Sequence, residues 1–101
     1  MNILLDDFSK KHILEFRHRL TNDIPMVGRF INDILLFANI GYSELVNHIT
    51  NKGTKMDEKT IKRYLSVTEK DLKNPNSKYH KGVHKPLLYW INEYITQRYN
   101  F

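Results

Sequence analysis

The chain has 101 residues, 41% of them hydrophobic and 27% charged, and none is Cys. That length supports one modest core, and the missing thiol excludes disulfides, a thiolate metal site and a cysteine nucleophile. The net charge of +5 is unevenly placed: residues 52–85 hold ten Lys/Arg against four Asp/Glu, and the rest hold six against seven. All of the excess lies in about a third of the chain, the pattern of a surface that faces a polyanion.

Ile3, Leu4 and Leu5 form a short apolar run that Asp6 and Asp7 end too early for a secretory leader. Without Cys, the expected compartment is a reducing cytoplasm. Ser9 reads as an N-cap, with Phe8 and Ile13 at the spacing of a hydrophobic staple. The first helix then covers 7–20, with Ile13, Phe16 and Leu20 on one edge. Thr21-Asn-Asp is turn chemistry, and Pro25 suits the first turn of a second helix over 25–39. Met26, Val27, Phe30, Ile31, Ile34, Leu35, Phe37 and Ile40 cover most of that helix, so it is expected to be the buried post of the core, closed by Gly41. Arg29, Asn32, Asp33 and Asn39 rule the same segment out as a membrane span, and no membrane partner is expected.

Ser43 reads as the N-cap of a shorter helix, with Glu44 in its first turn and Leu45, Val46 and Ile49 inward. It should fade by Asn51, with Gly53 ending it. Asp57 caps the next helix, and Met56 and Ile61 again have staple spacing. From there to Lys73 the chain reads as one helix. Ile61, Leu65, Thr68 and Leu72 form its core stripe, and Lys59, Lys62, Arg63, Ser66, Lys70 and Lys73 its outer face. Asn74-Pro-Asn-Ser stops it. The basic stretch 75–85, with a turn at Gly82, reads as a mobile loop or a small wing. Pro86 starts a last helix that buries Leu87, Leu88, Ile91 and Ile95. The expectation is an all-α single domain over 1–101, about five helices around a buried second helix. Trp90, Tyr94 and Tyr99 add aromatic surface that either completes the core or forms a homodimer interface.

The run Asp57-Glu-Lys-Thr-Ile-Lys-Arg-Tyr-Leu resembles the recognition helix of helix-turn-helix and winged-helix DNA-binding domains. Ser43-Glu-Leu-Val-Asn-His-Ile then matches the support helix before it. The segment between Ile49 and Asp57 is longer than the compact form's turn, which suits the winged-helix variants. The resemblance implies double-stranded DNA as partner, with Thr54, Lys55, Lys59, Thr60, Lys62 and Arg63 in or beside the major groove and Ser66 bordering it. Arg63 can fork onto guanine, while Lys59 and Lys62 act as point charges toward phosphate or guanine. Thr54 and Lys55 would meet backbone phosphate. Lys78, Tyr79 and Lys81, with His80 between them, would serve as a wing or arm on the neighbouring backbone.

No Gly-rich phosphate loop, nucleophile elbow or His-Glu-x-x-His motif occurs, so no enzyme, metal or cofactor is expected. His80 and His84 have the spacing of a helical metal pair, but Gly82 between them opposes a helix and no third ligand is evident. The expected function is a DNA-binding protein, a small transcriptional or replication regulator. The rival is a small helical inhibitor, immunity protein or adaptor whose basic face meets an acidic protein.

Overall fold

The computed structural model describes residues 5–99. Six helices follow one another: α1 (Asp7–Thr21), α2 (Gly28–Phe37), α3 (Tyr42–Thr50), α4 (Glu58–Tyr64), α5 (Glu69–Lys73) and α6 (Lys85–Tyr99). Among the described residues there is no strand. None of these helices is long and apolar enough to cross a membrane. The short dimension of the molecule is 19 Å, about two helix diameters, so the helices lie in two layers. Between them Ile13, Phe16, Ile31, Ile34, Leu45, Ile49, Ile61, Leu87, Ile91 and Ile95 are wholly buried. Ile3 and Leu4 lie outside the described residues.

The helix ends follow local chemistry, not always at the expected residue. Asp6, not Ser9, caps α1, its Oδ1 accepting the Ser9 N–H at 2.7 Å. Ser9 instead sits buried inside the helix. The α1 end turns back through Asp23 at φ 56°, with Ile24 N–H donating to the Arg19 carbonyl at 3.0 Å. The end of α2 does the same through Asn39 at φ 55°, with Ile40 N–H donating to the Leu35 carbonyl at 2.9 Å. Both are the six-to-one closure usually given to glycine, and Asp and Asn are the residues best able to replace it. Gly41 is therefore not the terminator of α2. It is the N-cap of α3, and the Glu44 carboxylate reaches back to accept its N–H at 2.7 Å. Ser43, expected in that role, lies one residue inside the helix.

Three longer expectations are corrected. The second helix begins at Gly28, because residues 24–27 are non-helical and Val27 is extended, at φ −88° and ψ 158°. The Met26 carbonyl accepts the Val83 N–H at 2.9 Å, and Gly28 N–H donates to the Val67 carbonyl at 2.9 Å. This short strut is thus clamped by two distant segments, a stronger tie than the helix preference of its sequence. Second, α2 is not buried all round. Ile31, Ile34 and Leu35 face in, while Arg29 and Asp33 are exposed and Leu36 is 77% exposed. In a two-layer domain each helix keeps a solvent side.

Third, the helix expected over 57–73 is two helices. Leu65 ends α4, Ser66 Oγ donates to the Arg63 carbonyl at 2.6 Å, and Thr68 caps α5. The Asp71 carboxylate accepts the Thr68 N–H at 2.9 Å, so Thr68 is a cap and no part of a core stripe. Gly28 explains how closely the break packs. A Cβ there would overlap the Leu65 carbonyl and lie 2.7 Å from its Cα.

Residues 75–81 form successive turns, not a two-stranded wing. Ser77 N–H donates to Asn74, His80 N–H to Ser77 and Gly82 N–H to Tyr79, all through carbonyls at 2.8–3.1 Å. Trp90, Tyr94 and Tyr99 are half-buried against the core, and the Tyr99 hydroxyl donates to the Ala38 carbonyl. All three rings pack against the core of the chain.

Candidate nucleic-acid interface

On α4, Ile61 is buried and the exposed residues are Lys59, Lys62 and Arg63. Positions i, i+3 and i+4 share a helix face, so these cations point one way while Ile61 points the other. The helix is seated on α3, where Ser43 Oγ donates to Glu58 Oε1 at 2.8 Å and Lys62 lies 5.8 Å from the Tyr42 ring centroid. In turn α3 is held on α6. Tyr94 Oη and Arg98 Nη1 each donate to Glu44 Oε2 at 2.8 Å, and Lys52 pairs with Glu93 at 2.6 Å. Burial pushes the Glu44 carboxyl up, but the Gly41, Tyr94 and Arg98 donors together outweigh it and hold the group below its ordinary value.

At the α4 entrance, Asp57 Oδ1 accepts the Thr60 N–H at 2.7 Å. That bond, aided by Lys59 and Arg63, holds the Asp57 carboxyl below its usual range. The face is thus basic, with the carboxylates of Asp57 and Glu58 beside it, bonded to Thr60 and Ser43.

Ten Lys/Arg occupy residues 52–85, and Lys52 and Lys85 are paired, with Glu93 and Asp23. The other eight are Lys55, Lys59, Lys62, Arg63, Lys70, Lys73, Lys78 and Lys81. All eight are exposed, and among the described residues none forms an ion pair. Thr54 and Thr60 are half-exposed beside them. The Ser66 hydroxyl is already committed to the end of α4.

The break at 65–68 changes what these cations can do. As a single helix they would have formed one long row. In the structure α4 has seven residues, about 10 Å of helix, and Lys70 and Lys73 belong to a separate element. The stretch after α5 then returns to α4. The His84 ring stacks on Tyr64, with centroids 4.7 Å apart and planes 24° from parallel. Tyr64, Lys78, Tyr79, Lys81 and His84 line a cleft of about 360 Å³ together with Gly82, Val83 and Lys85. Lys78 Nζ lies 5.0 Å from the Tyr79 ring centroid, and the Arg63 guanidinium lies 5.7 Å from that of Tyr64.

Both walls are tied to the same strut. Val83 N–H bonds Met26, and Gly82, at φ 88°, presses its Cα where a Cβ would lie 2.6 Å from the Met26 nitrogen. The other wall ends at Leu65, packed on Gly28. The sequence signals found Arg63, Lys78, Tyr79 and Lys81 but missed Tyr64 and His84. Their trace in the sequence was the mixing of aromatic rings with cations, which marks a stacking surface only once a fold brings the rings together. His84 is a ring partner here, and among the described residues no group of three or more metal-ligating side chains occurs.

No family model matches the chain, and neither a curated protein nor a solved structure does.

Proposed function

We propose that the protein binds DNA through the face made by α4, α5 and the loop that follows, as a small regulator of transcription or replication. The single observation behind this reading is the set of eight exposed cations without an ion-pair partner among the described residues. Cations that chiefly stabilised the fold would be paired with carboxylates; Lys62, Arg63 and Lys78 lie 5.0–5.8 Å from ring centroids but remain exposed. The carboxylates among these cations are engaged elsewhere: Asp57 by Thr60, Glu58 by Ser43, Glu69 by Arg29 and Asp71 by Thr68 and Ser77. Arg63, Lys59 and Lys62 share one side of α4 and are the side chains to meet base edges in the major groove. Lys78, Tyr79 and Lys81 lie on the loop beside it and contact backbone phosphates, as do Lys55, Lys70 and Lys73. The likeness of residues 43–66 to a helix-turn-helix unit belongs to the same reading, with α3 as support and α4 as reading helix.

The test is the salt dependence of duplex binding. If all eight cations neutralise phosphates, log K against log salt falls with a slope near −7, and half of them give about −4. Fluorescence anisotropy on a mixed-sequence duplex, over a salt series, measures it. No binding at low salt would refute the reading and return the basic face to its rival use, an acidic protein partner.

A further inference from the structure

The cleft beside α4 has features that groove binding alone does not use. It is small: about 360 Å³, near the lower end of the roughly 300–1,000 Å³ typical of small-molecule sites. That admits a flat ring with its sugar but not a duplex. Its walls carry three aromatic rings, Tyr64, Tyr79 and His84, and two of them are already stacked. His84 is exposed and lines the cleft, so the stacked pair is within reach of a further ring. Lys78 and Lys81 line the cleft, Arg63 stands at the Tyr64 ring, and no Asp or Glu lines it. Rings that offer π-faces, with cations and no carboxylate, select a flat aromatic group that carries negative charge.

A free mononucleotide and a base within a strand share that chemistry. The surroundings favour the strand, since the exposed cations Lys59 and Lys62 on α4 and Lys70 and Lys73 on α5 stand outside the cleft, where one nucleotide would leave them unused. We propose that the cleft takes one unstacked base of a DNA strand, laid on the His84–Tyr64 pair, with its flanking phosphates on Lys78 and Lys81. This rests on the DNA-binding reading and adds to it a preference for single-stranded or locally opened DNA. The tie of both walls to the Met26–Gly28 strut preforms the site, so little ordering cost falls on binding.

The experiment compares a short single-stranded oligodeoxynucleotide carrying 2-aminopurine, its duplex, and deoxyadenosine monophosphate as competitor. Binding of the strand should quench the 2-aminopurine, the signature of stacking. His84→Ala should weaken single-strand binding about fivefold more than duplex binding, the lower end of a base–aromatic stack. His84→Phe, which keeps a ring and loses the imidazole, should restore most of it. Tyr79→Leu repeats the measurement from the other wall, and Lys11→Ala, an exposed cation on α1, controls for charge alone. Equal losses on strand and duplex, or no quenching, would overturn the cleft assignment and leave the DNA-binding reading standing. Competition by the mononucleotide as effective as by the strand would overturn the strand assignment. Failure of strand and duplex alike to bind at low salt would remove the DNA-binding reading and this inference with it.

Discussion

Replacing Gly28 by Ala should destabilise the protein, although the residue lies in a helix. In an isolated helix alanine is better than glycine by about 1 kcal/mol, and a stiffer unfolded chain adds to the advantage. Here the added methyl would overlap the Leu65 carbonyl and sit 2.7 Å from its Cα. Those atoms are backbone and cannot rotate away, so α2 and the end of α4 must separate. Overpacking of this kind costs about 1–3 kcal/mol, and losing the bond from Gly28 N–H to the Val67 carbonyl adds about 0.5–1.5. Set against alanine's intrinsic advantage, we expect a net loss of about 0.5–3.5 kcal/mol. For a domain of this size that lowers the melting temperature by about 2–28 °C.

Thermal unfolding followed by circular dichroism measures the loss. Gly41→Ala is the matched control, because a Cβ there meets only Glu44 side-chain atoms at 3.7 and 3.8 Å. It should cost under about 1 kcal/mol, the difference between glycine and alanine as an N-cap. If Gly28→Ala is no worse than Gly41→Ala, the close approach of Leu65 is wrong. The placement of α4 against the strut would then be wrong with it.

Roles inside the basic face separate by mutation. Arg63→Ala should lose about 1–3 kcal/mol on a preferred duplex and little on random DNA, while Lys70→Ala should weaken all sequences alike and reduce the salt slope by about one; competition binding reads both, and equal behaviour of the two variants would mean that α4 only follows phosphate. Acid stability should depend on Glu44. Its carboxyl is lower in the folded protein than its ordinary 4.5, so its stabilisation is full above that pH and is lost as pH falls through the folded value. Glu44→Gln should flatten the acid limb of a melting-temperature profile below about pH 4.5, and an unchanged limb would assign acid unfolding to other groups. Replacement of Ser43 by Ala removes the bond to Glu58 and is expected to cost about 0.5–1.5 kcal/mol in urea unfolding, with duplex affinity falling as α4 loosens on α3.

Much of this molecule is legible in the order of its residues, because the physics concerned is short-range. The buried edges Ile13–Phe16–Leu20 and Leu87–Leu88–Ile91–Ile95 follow from helical spacing, and the Asp57 cap from its place before Ile61. The location of the excess cations needs no fold at all. The break between α4 and α5 left a local mark in Thr68 and Asp71, three apart as a capping box requires. The spacing of Ile61, Leu65, Thr68 and Leu72 argued for continuity, and periodicity alone could not choose between them. The choice is made by Gly28, whose N–H takes the Val67 carbonyl and whose missing side chain lets Leu65 approach. The non-helical strut at 24–27 and the meeting of His84 with Tyr64 have the same origin. Such contacts join residues far apart in the chain, so no window of sequence contains both partners. The sequence by itself determined an all-helical chain with a basic third. Only the tertiary structure decided that the basic third is two short helices and a ring-lined cleft, because backbone groups of distant segments satisfy one another there.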